Sequence, residues 1–352
     1  MAELAAHVVA DRAPDGLVSA DLPRLAERER AVLEGAARAL AALRPALTAA
    51  EHFVRGNAFH AAERFDDALE QYNAALALRP DDPDTLNNRG ITLDELKRCE
   101  EALADLNRAL ELQPDDPATL NNRGTALIGL KRYEEALADF NRSLELHPDD
   151  PTTLNNRAAA LNKLKRWDEA LADCDRSLQL RPDDPNTLNN RGIALGYLQR
   201  YEEALADYNR SLQLRPDDPD ILNSRGFALA KLGRLQEALA DLDRSLEIRP
   251  DDPYTLSSRA LALAKAGRYE RAFPDFARAL APNASSPPIL YDRACAFSVA
   301  GRWDESLGDL ASAIAGDPGY RAEAREDKDL EPLRNHPKWG PQFQKLISEG
   351  SS

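Results

Sequence analysis

The chain has 352 residues and carries 60 acidic against 45 basic side chains, a net charge of −15, with 30% of its residues charged. That excess of carboxylates disfavours nucleic acid and acidic membrane surfaces, both of which are bound through net basic patches. No stretch is long and apolar enough to cross a bilayer or act as a secretory signal. The three cysteines, Cys99, Cys174 and Cys295, lie far apart without a C-x-x-C pair, so buried or free thiols in a reducing, cytoplasmic compartment are expected.

Residues 1–20 are Ala-rich and polar, with a turn at Pro14-Asp-Gly16, and read as a flexible N-terminal segment. Residues 21–48 read as a helix from Leu22 to Leu43, with Leu25, Val32, Leu33, Ala36, Leu40 and Leu43 on one side. A thin stripe interrupted by Glu29 leaves two readings open, a capping helix for the repeats beyond it or a dimer helix.

From residue 49 onward a 34-residue period takes over. Asp-Asp-Pro begins at Asp81, Asp115, Asp149, Asp183, Asp217 and Asp251, and eight repeats fit without insertion between residues 49 and 320. Counting from the Pro after Asp-Asp, position 8 is small (Gly90, Gly124, Ala158 and their equivalents), and position 20 is Ala in seven repeats and Ser306 in the last. Apolar residues at positions 4, 11, 14, 17, 21, 24 and 28 make two stripes of helical period, broken near positions 15 and 16. Each repeat therefore reads as helix, short turn, helix, and the small residues let the two helices approach closely. The second Asp of each Asp-Asp is placed to cap the first helix and Pro to begin it, while Pro at position 32 stops the second helix. The seventh repeat differs, because Pro282 comes two residues early, and its second helix should be shorter.

With the small residues at positions 8 and 20, Ala or Ser at 27, Pro at 32 and the 34-residue length, the repeats resemble tetratricopeptide repeats. The resemblance covers residues 49–320. It implies an all-α fold, a right-handed superhelical α-solenoid of antiparallel helix pairs, used as a non-enzymatic protein-binding scaffold. One departure from the family pattern is systematic. Position 7 is Arg in every repeat and position 23 is Asp in seven, from Asp105 to Asp309. These positions face each other in an antiparallel pair, so one Arg–Asp bridge per repeat is expected, setting helix register.

The resemblance assigns the inner surface to the first helix of each pair, where positions 5 and 6 form a ladder: Asn87 and Asn88, Asn121 and Asn122, Asn155 and Asn156, Asn189 and Asn190, then Asn223. A carboxamide offers a donor and an acceptor, as a peptide unit does, so a regular ladder suits an extended backbone. The pattern is similar to the inner Asn residues of the superhelical repeats of the O-linked N-acetylglucosamine transferase, without that protein's catalytic domain. Simple helix packing is the other reading of the ladder. Lys163, Lys231 and Lys265 add basic contacts to the expected peptide groove, and Tyr197, Phe227 and Tyr254 bulky ones. Residues 321–352 read as C-terminal capping helices and tail. Tyr320 to Leu330 is expected as one helix, a bend follows at Pro332, His336 and Pro337, and a last short helix holds Phe343 and Ile347.

Catalytic and metal-binding patterns are missing from the sequence. The five histidines are scattered, and no phosphate-cradling or nucleophile motif occurs. The expectation is a scaffold that binds a protein or extended peptide in its groove, without catalytic residues, metal or cofactor, as a monomer or weak homo-oligomer. The alternative is a self-associating scaffold that uses the N-terminal helix or the solenoid edges.

Overall fold

The computed structural model describes residues 47–348. The segment expected at 1–20 and the whole helix expected from Leu22 to Leu43 lie outside the described residues. Among these residues there are nineteen α-helices. Eight consecutive pairs come first: α1 (Ala49–Ala61) with α2 (Phe65–Leu78), α3 (Pro83–Glu95) with α4 (Cys99–Leu112), α5 (Pro117–Gly129) with α6 (Tyr133–Leu146), α7 (Pro151–Lys163) with α8 (Trp167–Leu180), α9 (Pro185–Tyr197) with α10 (Tyr201–Leu214), α11 (Pro219–Lys231) with α12 (Leu235–Ile248), α13 (Pro253–Lys265) with α14 (Tyr269–Leu280), and α15 (Pro287–Val299) with α16 (Trp303–Gly316). After them come α17 (Tyr320–Glu326), a 3-10 turn at Lys328–Leu330, α18 (Glu331–Arg334) and α19 (Gly340–Ser348). The described residues form two compact units, divided between Pro114 and Asp115.

Local chemistry accounts for the helix boundaries. At the start of α5 the Asp116 carboxylate accepts the Thr119 N–H at 2.8 Å and the Thr119 hydroxyl at 2.5 Å. Asp82, Asp150, Asp184 and Asp252 cap α3, α7, α9 and α13 in the same way. The first Asp of each pair acts differently. Asp149 accepts from Arg176 at 2.7 Å and Asp217 from Arg244 at 2.9 Å, fastening the loop to the second helix of the following repeat. Both carboxylates of the Asp-Asp motif thus have structural roles, one at a helix N-terminus and one in an ion pair. α14 ends at Leu280 after 12 residues, where α12 runs for 14, as the early Pro282 requires.

The turn inside each pair passes through a left-handed residue. Later repeats use Gly233, Gly267 and Gly301, whereas earlier ones place Lys131, Lys165 and Gln199 there with φ near 60°. Close approach of the paired helices rests on position 8. A Cβ added to Gly124 would lie 2.5 Å from the Phe140 ring, so only glycine lets that ring fill the space between α5 and α6.

In each repeat from the second to the eighth, the position-7 Arg meets the position-23 Asp through Nε and Nη2, at 2.6–3.0 Å. A bidentate pair fixes both distance and orientation, so it sets the register of the two helices. Arg157 also donates to Asn141 of the preceding repeat, and Arg225 to Asn209, so one guanidinium links three helices.

Beyond α16 the chain departs from the expected single helix. α17 stops at Glu326, and Asp327 adopts an extended backbone with ψ 122°. Its Oδ1 accepts the Asp329 N–H at 2.8 Å, an arrangement that opens the 3-10 turn and that a continuous helix would forbid. Leu330, Leu333, Phe343 and Ile347 then bury themselves in one apolar cluster with α13 to α16.

Candidate functional site

The first helices of the repeats carry the ladder. Within the first compact unit, Asn88 donates to the Asn57 Oδ1 at 2.9 Å, and the Tyr72 hydroxyl donates to the same oxygen at 2.7 Å. Asn87 donates to the Asn88 Oδ1 at 3.2 Å.

In the second unit the carboxamides bridge one repeat to the next. Asn156 donates to the Asn121 Oδ1 at 3.0 Å, and Asn190 to the Asn155 Oδ1 at 2.8 Å. In both, position 6 reaches back 35 residues to position 5. Asn122 occupies the same face of α5, half-buried like its neighbours. The reach back would next join residue 224 to Asn189 and residue 258 to Asn223, but both donors are serines, which are too short. The Oδ1 atoms of Asn189 and Asn223 are accordingly buried without a hydrogen-bond partner. Further on the contact returns in altered form, with the Ser257 hydroxyl donating to Asp292 at 2.9 Å. Asn121, Asn155, Asn156 and Asn190 therefore form a cross-repeat zipper.

The remaining groove candidates divide into two sets. Lys163 and Tyr254 are exposed on α7 and α13. Tyr197 is also largely exposed and stacks on Trp167 with ring centroids 4.2 Å apart. Phe227, Lys231 and Lys265 instead gather around the C-terminal segment. Lys231 Nζ lies 3.1 Å from Asp327 and 3.3 Å from Asp329, and Lys265 Nζ lies 2.7 Å from Asp329. The Phe227 ring sits under the Lys231 ammonium at 5.6 Å. The Tyr291 hydroxyl donates to the Asp327 Oδ2 at 3.3 Å. Upstream, Tyr320 stacks on Tyr291 at 4.6 Å and lies 5.0 Å from the Lys165 ammonium, which pairs with Asp317 at 2.6 Å. Residues 317–329 thus form a strap over the first helices of the later repeats, reaching as far as the turn after α7. The sequence pattern placed this segment only over the last repeat. Charge gave a faint signal, since two groove lysines, Lys231 and Lys265, and the turn residue Lys165 meet a segment holding Asp317, Asp327 and Asp329.

Electrostatics at the strap are tightly balanced. Burial opposes the Lys231 charge, but Asp327 and Asp329 outweigh it and hold the ammonium well above the ordinary lysine range. Burial likewise works against the Asp329 carboxylate, yet Lys231 and Lys265 keep its pKa below the usual value. Asp292 lacks such a partner: burial pushes it up to about 6, against the pull of Ser257 and Lys231. The thiols of Cys99, Cys174 and Cys295 are buried and form no disulfide, and burial raises the pKa of each.

Fold and face together define a stack of antiparallel helix pairs whose first helices carry, within the second unit, an Asn ladder followed by a stretch covered by residues 317–329. Five family models, described as tetratricopeptide repeat or TPR repeat, match residues 56–97, 83–116, 117–150, 149–217 and 197–253. The chain belongs to the tetratricopeptide-repeat family. A tetratricopeptide repeat protein from Parabacteroides merdae superposes with a TM-score of 0.54 at 21% identity, over 68% of this chain and 95% of that one. The APC/C hetero-tetramer Cut9–Hcn1 gives a TM-score of 0.61 at 15% identity, over 92% of this chain and 60% of that one. At these identities the likeness is one of fold alone. No curated protein matches the chain. No described helix is long and apolar enough to cross a membrane.

Proposed function

We propose that this tetratricopeptide-repeat chain is a non-enzymatic, cytoplasmic interaction scaffold that binds an extended polypeptide segment along the face made by its first helices. One observation carries the reading. The chain's own residues 317–329 lie on that face as one short helix, the extended residue Asp327 and the start of a 3-10 turn, with their carboxylates on Lys165, Lys231 and Lys265. A face that holds one such peptide has the chemistry to hold another. The Asn ladder belongs to the proposed site as the polar, half-buried part of that face. The cytoplasmic placement rests on three buried thiols that form no disulfide.

The test uses the exposed members of the face, whose substitution leaves packing intact. Partners captured from lysate by the full chain should be lost, or reduced at least tenfold, with the Lys163→Glu/Tyr254→Ala variant. Retention of the same partners at the same yield would move binding to the second helices and the edges of the stack.

A further inference from the structure

The strap and the cap that succeeds it are held by different forces. Beyond residue 329, Leu330, Leu333, Phe343 and Ile347 are anchored in the apolar core. From Asp317 to Asp329 the contacts are ion pairs, hydrogen bonds and ring stacking, and Ala324 is the one buried apolar side chain.

We propose that the strap is an internal stand-in for a partner, and that Lys231, Lys265 and Tyr291 form a recognition site for an acidic segment carrying two carboxylates two residues apart at the start of a tight turn. Such a partner binds by displacing Asp327 and Asp329. The proposal rests on the reading of this face as a peptide-binding face.

Geometry and charge support it together. Lys231 and Lys265 occupy the same position in consecutive repeats, and their side chains are only 15% and 17% exposed. Burying an ammonium is costly unless a counter-charge meets it. Both lysines project from rigid helices, whereas the paired carboxylates come from an extended residue and a 3-10 turn. A strap that served only to cover the end of the stack would do as well with apolar side chains, since a buried ion pair is often replaceable by them at no loss of stability. Charge at this place instead specifies which segment fits. Asp329 bridges the two lysines, while the Asp327 Oδ2 accepts from both Lys231 and the Tyr291 hydroxyl, so the site reads a pair of carboxylates rather than one. The strap is tethered at both ends and competes as an intramolecular ligand, so the affinity for an outside partner is reduced by the fraction of chains with the strap released.

The probe is a labelled synthetic peptide with the sequence of residues 317–334, compared with the same peptide carrying Asn in place of its two final Asp residues. The full-length D327N/D329N chain should bind the acidic peptide at least tenfold more tightly than the parent chain. Adding K231A/K265A should abolish that binding, and the Asn peptide should bind neither chain. Equal binding by parent and D327N/D329N, or binding by neither, overturns the proposal. Should D327N/D329N lose its helical signal, hydrogen exchange on the parent chain decides. Strap amides should then exchange at least tenfold faster than those of α19, and faster still with excess acidic peptide. A single shared exchange rate for strap and cap also overturns it. Failure here with Lys163 and Tyr254 still needed for capture removes the acidic-pair site alone. Peptide binding without any capture effect removes the broader reading of the face.

Discussion

In residues 117–218 the inward positions 5 and 6 hold half-buried Asn pairs, and Asn156 and Asn190 tie each first helix to the one before it. In residues 219–320 the same positions hold Asn223 and Ser224, Ser257 and Ser258, then Tyr291 and Asp292. There Ser257, Ser258 and Tyr291 are buried, and the strap lies over their helices. Backbone and pair geometry are alike in both stretches. The difference lies in side-chain length: carboxamides meet across repeats and leave the face polar and open, while the serines leave amide oxygens unpartnered and give way to a stretch covered by the chain itself. A repeat scaffold can therefore carry an open and an occupied surface without altering its core.

The largest effect should come from the covered stretch. Asp329→Ala leaves two mostly buried lysines short of a carboxylate and should cost up to about 3 kcal/mol in urea unfolding. Asn156→Ala, which removes neutral cross-repeat contacts to Asn121 and Thr125 from the open stretch, should cost only about 1 kcal/mol. Similar losses for both would mean that the strap is held by its apolar anchor and not by charge.

The helix-register pair is common to both stretches and should be insensitive to the comparison. Removing Arg157 or Asp173 alone should cost about 2 kcal/mol, because the Asp is almost out of solvent, with coupling of about 1 kcal/mol or more in a double-mutant cycle. The exposed Arg166–Glu169 pair should show much weaker coupling. Coupling at Arg157–Asp173 no larger than at Arg166–Glu169 would refute the register argument.

Asp292 gives the covered stretch a pH signature. Its pKa is raised by burial from 3.8 to about 6, with Asp327 and Asp329 adding to the rise, Glu323 as a further nearby carboxylate, and Ser257 and Lys231 opposing it. Between those two values the native chain keeps a proton that the unfolded chain has lost. Stability from this group is therefore fully present at low pH and falls as pH rises through that window. Asp292→Asn should stabilise the chain by about 1–2 kcal/mol at pH 7 and have little effect at pH 4, measured by thermal melts at both pH values. A gain of the same size at both would point to packing instead.

The smallest expected effect concerns the turns. Lys131 holds a left-handed conformation that later repeats give to glycine, so Lys131→Gly should raise stability by about 0.5–1 kcal/mol in urea melts. Lys165→Gly should gain less or lose, because Lys165 also pairs with Asp317 and lies against Tyr320. Equal gains at the two turns would show that the strap end at Lys165 contributes nothing.

Much of the fold was legible because its causes are local and periodic. Asp-Asp-Pro marks each helix start and Pro282 shortens α14. Arg at position 7 and Asp at position 23 meet 16 residues apart within one helix pair, so a period and a helical wheel suffice to bring them together. The site was legible as a set of residues and less so as an arrangement. That Lys231 and Lys265 share Asp329, while Lys163 and Tyr254 remain exposed, follows from no spacing in the sequence.

By itself, then, the sequence determined the repeat, its caps and its register, since each depends on contacts within about one 34-residue period. Only the tertiary structure decided that Asn156 faces Asn121 instead of open solvent, that Asp327 breaks the last expected helix, and that Lys165 meets Asp317, 152 residues away. The break at Asp327 is a local side-chain bond, whereas the last contact depends on how small rotations between successive helix pairs add up along the second unit, and that sum is written in no single repeat.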